Sequence, residues 1–201
     1  MKKINWICKI AIIVLSLLGI IYAIPVMIQG NWYEVLIRLT IILTALIPTL
    51  ARKFFHLQIS YMMELVYLIF IFFGHFVGSI MGVYNQIFIY DKIIHTLSGV
   101  LTALFALVLL KNMKLYDFHH FLFNVLFMIV FTIAIAGVWE IFEFTNDAIF
   151  QADAQHVMTT GVDDTMLDMI VALLGSVIVV VIYGIEYFLK KKGFIYALMH
   201  D

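Results

Sequence analysis

Residues Met166 to Leu189 read MLDMIVALLGSVIVVVIYGIEYFL, 24 positions whose only charges are Asp168 and Glu186, and Lys190-Lys191-Lys192 follows. A helix of that length rises about 36 Å at 1.5 Å per residue, enough to cross a hydrocarbon layer about 30 Å thick. Five further runs share the pattern, at about Ile10–Ile28, Val35–Leu50, Leu57–Tyr84, Ile93–Leu110 and Phe121–Ile141. Between them stand Gln29-Gly30-Asn31, Arg52-Lys53, Asn85-Gln86, Lys111-Asn112-Met113-Lys114 and a polar stretch after Phe144. Strands would alternate apolar and polar residues and stop near ten positions, so the reading is an all-α polytopic membrane protein with six transmembrane helices.

Composition agrees. Of 201 residues, 65% are apolar and 12% charged, and the mean hydropathy is +1.09. Soluble domains are closer to about half apolar and a quarter charged. A water-soluble fold, a disordered chain and a nucleic-acid binder are excluded on that ground. The lone cysteine, Cys8, rules out an internal disulfide and reads as an inert structural thiol. The first run keeps Pro25 and lacks a small-x-small cleavage site, so it reads as a retained helix and not as a signal peptide.

Ten of the twelve Lys and Arg residues fall in alternate segments: Lys2, Lys3, Lys9, Arg52, Lys53, Lys111, Lys114 and Lys190 to Lys192. The positive-inside rule then places both termini in the cytoplasm of a bacterial plasma (inner) membrane. Arg38 and Lys92 are the two exceptions. The stretch at about 145–165 holds Asp147, Asp153, Asp163, Asp164 and His156 and no Lys or Arg, which marks it as an acidic extracytoplasmic loop. Asn146 to Phe150 reads as an extension of the fifth helix along the interface. Neither repeat nor second domain is apparent, so residues 1–201 read as one transmembrane domain.

Charges at the rim of a span are costly unless they pair, cap or function. Here they gather. Asp91 and His95 lie one turn apart at the start of the fourth helix; Glu140, Glu143 and Asp147 share an arc at the end of the fifth; Asp163, Asp164 and Asp168 open the sixth. With the topology above, all three groups stand at the outer rim. Small residues, Gly99, Thr102, Ala136 and Gly175, continue the same faces inward and permit close helix contact. That many carboxylates brought together need cations or protons. Asp91, His95, Glu140, Glu143, Asp164 and Asp168 are therefore the expected ligands of a divalent metal ion, of an identity left open among Mg, Mn, Ca and Zn. His75, Asp147 and Asp163 are possible additional ligands, and Arg38 lies at a similar level. Glu143 and His95 are the expected proton acceptors of a metal-assisted reaction.

The bland readings are caps for Asp91, Asp163 and Asp164, an ion pair or a snorkelling side chain for Glu64, an i, i+4 pair for Glu186 with Lys190, and interfacial polarity for His119 and His120. Trp6 and Trp32 read as belt anchors. Glu140 and Glu143, placed at a helix C-terminus, would oppose the helix dipole, and so favour a functional reading.

The strings Tyr90-Asp91-Lys92-Ile93-Ile94-His95, Trp139-Glu140-Ile141-Phe142-Glu143 and Asp164-Thr165-Met166-Leu167-Asp168-Met169 with Gly175 resemble the bacterial inner-membrane proteins typified by YjdF. Asp91-Lys92-x-x-His95 and Asp168 with Gly175 are similar, more distantly, to VanZ-type membrane proteins, whose usual Asn four residues after the last Asp is Ala172 here. The resemblance implies the fold and the important positions and supplies no substrate. Two functions stay open: a metal-dependent enzyme acting on a lipid head group or envelope precursor at the bilayer surface, and a small cation- or proton-coupled transporter. A structural or resistance-associated membrane protein without catalysis is the third.

Overall fold

The computed structural model describes residues 2–155 and 157–200, so His156 lies outside the described residues. The described residues form helices and no strands. Among the described residues, six helices are long and apolar enough to cross a membrane. The backbone divides into two compact units, residues 1–90 and 91–201.

In the first unit α1 (Lys2–Ile28) lies along α2 (Trp32–Phe54). Asn31 caps α2 by accepting the Glu34 amide, and Ser60 caps α3 (Tyr61–Ile71) by accepting that of Met63. The third run is thus shorter than Leu57–Tyr84 and is not one regular helix: after Ile71 it passes into a π-helix, Phe72–Ile80. It ends at Gly82, whose φ of 75° is a left-handed conformation that a glycine adopts without strain. Cys8, Leu15, Ile41, Ala45, Leu68, Ile71, Phe76 and Ile80 form the core. The Cys8 thiol lies 3.4 Å from the Tyr61 carbonyl, in keeping with a structural thiol. Glu64, only 1% exposed, meets Arg52 at 2.5 Å.

The second unit contains α4 (Phe88–Asn112) from Asp91 onward, α5 (Phe121–Phe150), the short α6 (Val157–Thr160), α7 (Asp163–Phe188) and α8 (Phe194–His200). Ala103, Ala106, Leu107 and Leu110 of α4 are fully buried. A Cβ on Gly99 would fall closer than 3.0 Å to the Ala172 backbone, and one on Gly175 closer than 3.0 Å to the Thr96 carbonyl. Backbone therefore touches backbone where α4 crosses α7. Thr102 donates to Thr132 at 3.2 Å and Asn124 to Tyr183 at 2.7 Å, satisfying polar groups that tie the helices together.

Two helix starts differ from expectation, and one helix end removes an argument. Helix α4 begins at Phe88, so Asp91 lies in its first turn and not at its cap. Val162 holds the N-cap position of α7, which leaves Asp163 and Asp164 as first-turn residues. Helix α5 runs on to Phe150, in agreement with the reading of Asn146 to Phe150 as its extension, so the expected placement of Glu140 and Glu143 at its C-terminus is what fails, and the dipole argument does not apply to them. Asp147 lies within that helix, and its carboxylate accepts the loop amides of Ala154 and Gln155.

Glu186 also departs from the expected pair with Lys190. Its two carboxylate oxygens accept the amides of Ile195 and Tyr196, each at 2.9 Å, at the start of α8. Ile195, Leu198 and Met199 are buried, and Lys111 donates to the Met199 carbonyl. Glu186→Ala strands two amides at a helix start, each worth about 1–3 kcal/mol when buried and unpaired. Hydrogen exchange should then accelerate at residues 195–199 while the amides of α4 stay protected.

Candidate functional site

The site is built at one end of the second unit, where the first turns of α4 meet those of α7. Asp91 and His95 stand one helical turn apart, and His95 Nε2 lies 3.4 Å from Asp91 Oδ1. Asp168 of α7 presents Oδ1 3.9 Å from the same ring nitrogen. Asp91, His95 and Asp168 each offer a ligand atom, and these three atoms lie within 4.8 Å of one another. Among the described residues they form the group with metal-ligand geometry. His95 and Asp168 are buried and Asp91 is half-buried.

Lys92 occupies the middle of the acids. Its ammonium lies 2.5 Å from Asp164 Oδ1, 2.7 Å from Asp168 Oδ1 and 3.1 Å from Asp91 Oδ2. Counting charges had set this residue aside as one of two exceptions to the positive-inside pattern. Its position after Asp91 was the available signal, but an adjacent residue points about 100° away on a helix, and only the approach of α7 brings Lys92 to three carboxylates.

The α5 acids stand beside this group without joining the three. Glu140 is buried and Glu143 half-buried, and both interact electrostatically with His95. Glu143 Oε1 accepts the Trp139 indole N–H at 2.8 Å. Glu140 is held by Gln155, whose amide donates to its backbone oxygen at 3.2 Å, to Oε2 at 3.3 Å and to Thr165 at 3.2 Å. Gln155 is buried, and nothing in the polar stretch had singled it out. Its placement depends on Asp147, which accepts the Ala154 and Gln155 amides at 2.8 and 3.1 Å and so folds the loop back over α5.

The remaining expected residues lie elsewhere. Asp163 is exposed beside the buried Asp164. Asp147 serves the loop. His75 belongs to the first unit, where its ring faces the Ile37 carbonyl at 3.0 Å, Thr40 at 3.3 Å and Thr44 at 3.4 Å. Arg38 pairs with Glu34 one turn before it.

Three carboxylates, Asp91, Asp164 and Asp168, thus meet one ammonium and one imidazole, with Glu140 and Glu143 beside them. The set is oxygen-rich with a single nitrogen donor, a mixture that suits Mg, Mn, Ca or Zn. It can hold a cation, and it can hold and pass a proton between carboxylate and imidazole.

The family described as predicted membrane protein (DUF2238) matches residues 7–188, and this chain belongs to it. A protein of Thermotoga maritima, described as an uncharacterized protein, is 33% identical over 129 residues, which is 64% of this chain. The chain spans about 65% of that relative's length. No solved structure matches.

Proposed function

We propose that this member of the DUF2238 family is a plasma-membrane protein that binds one divalent cation through Asp91, His95 and Asp168 at the outer rim of the bilayer. The observation that carries the reading is the convergence of two carboxylates and an imidazole, their ligand atoms within 4.8 Å, from two helices in backbone contact. The excess of acid supplies the charge, and Asp164, Glu140 and Glu143 hold the surrounding field negative. With both termini cytoplasmic, the loop at about 145–165 and the site face outward, toward a lipid head group or an envelope precursor. A cation there polarises a phosphoryl or carbonyl oxygen or activates water, and Glu143 or His95 takes the proton. The likeness to YjdF-type proteins belongs to the same reading.

Elemental analysis and calorimetry of gently solubilised protein test it. Wild-type protein should take up about one Mn²⁺ or Zn²⁺ per chain, and Asp168→Asn and His95→Ala should each weaken uptake by at least about tenfold. Wild-type protein that binds neither these ions nor Mg²⁺ or Ca²⁺ overturns the proposal. A second reading, a structural knot closed by Lys92 alone, draws on the three carboxylates at its ammonium; under it calorimetry finds no divalent-specific heat. Cation flux through reconstituted vesicles would place the same residues on a transport path.

A further inference from the structure

We propose that Lys92 is a tethered competitor of the bound cation: its ammonium holds Asp168 until a divalent ion displaces it, leaving it on Asp164 and Asp91 Oδ2. The inference rests on the metal-site reading and adds a regulatory element to it.

One atom is asked to serve twice, and one carboxylate is shared. Asp168 Oδ1 lies 2.7 Å from Lys92 Nζ and also faces His95 Nε2 at 3.9 Å. Asp91 divides its oxygens, with Oδ2 toward Lys92 at 3.1 Å and Oδ1 toward His95 at 3.4 Å. An ion bound to Asp91 Oδ1, His95 Nε2 and Asp168 Oδ1 at the usual lengths of about 2.0–2.5 Å would stand within about 5 Å of the present ammonium position. Two like charges at that range, in a partly buried site, repel each other. Asp168 Oδ1 cannot keep its ammonium contact and serve the ion at full strength.

The means of escape is also present. Asp164 Oδ1 lies 2.5 Å from Nζ, is buried, and is outside the three-residue ligand group. The four-carbon lysine stem lets the ammonium pivot off Asp168 while it keeps Asp164 and its α4 backbone stays in place. The ligand group is therefore partly charge-compensated without an ion, and cation affinity is set by how readily Lys92 yields Asp168. A site of this kind exchanges one cation for another and does not switch between an ion and a naked acidic cluster.

Lys92→Met and Lys92→Gln remove the competitor while leaving every ligand in place. Calorimetric titration with Mn²⁺ should show both variants binding about tenfold or more tightly than wild type. Equal or weaker binding in folded variants, with wild type binding, overturns the inference and leaves the metal site standing. Absence of binding in wild type and in both variants overturns the metal site and the inference together. Should neither variant fold, wild-type protein decides: Mn²⁺ should change the acetylation rate of Lys92 severalfold, read by peptide mass spectrometry, while Lys190 to Lys192 react as before. An unchanged Lys92 rate in Mn²⁺-bound protein overturns the inference.

Discussion

Gly175→Ala should lower the stability of the detergent-solubilised protein by about 3 kcal/mol or more, whereas Gly137→Ala should leave it unchanged or raise it. The two substitutions add the same methyl group to membrane-spanning helices. At Gly175 the added carbon would fall closer than 3.0 Å to the Thr96 carbonyl, and backbone cannot swing aside as a side chain can. At Gly137 it meets only the end of the Met169 side chain, at 3.8 Å, and gains helix propensity. The damage should reach the site. Thr96 follows His95 directly, and Gly175 lies two turns beyond Asp168, so separating the helices at this crossing separates the two ligand-bearing ends. Gly99→Ala, which strikes the Ala172 backbone from the other helix, should act alike, and the double variant should lose less than the sum of the singles because both break one contact. Thermal unfolding of the four variants in one detergent checks the set. Equal stability of Gly175→Ala and wild type would contradict the close approach.

The six spans could be read from hydropathy because membrane helices expose apolar side chains to lipid: Ile13, Leu43, Val130 and Ile178 are all exposed. That signal is a one-dimensional count and carries little about register or partner. Phe72 to Ile80 is as apolar as the helix before it, so nothing in its composition announces the π-register. The continuation of α5 past Glu143 was visible only as a weak extension, because an acidic residue within a helix and one at its end look alike until their partners are known. Spacing did identify Asp91 with His95, and Asp164 with Asp168, as sharing helix faces, since i, i+4 geometry is local. Which of these faces meet is tertiary information. Gly99 and Gly175 mark the crossing, but only the fold brings Lys92 across to Asp164 and Asp168, or Gln155 back from the loop to Glu140. Glu186 shows the same limit, because the short α8 that it caps has too few residues for a periodic pattern.

Arg52→Met should destabilise the protein by about 3–5 kcal/mol, the usual cost of leaving a buried charge without its partner. Glu64 is 1% exposed, and its acid group has two visible supports: Arg52 at 2.5 Å and the Thr49 hydroxyl at 3.0 Å. Arg52 is itself bound to the Ile59 carbonyl at 3.2 Å and stacks 4.9 Å from the centre of the Tyr61 ring, so the guanidinium joins the end of α2 to the start of α3. Removing it leaves a carboxylate that must either stay charged away from water or take up a proton. Removing the acid instead leaves Arg52, about a quarter exposed, able to reach solvent. Glu64→Gln should therefore cost less than Arg52→Met, and Arg52→Met combined with Glu64→Leu should recover most of the loss, because no unpaired charge is then buried. Unfolding temperatures of the three variants decide the point: if Arg52→Met and the double variant were equally unstable, lost packing of the arginine on Tyr61 would outweigh the stranded charge.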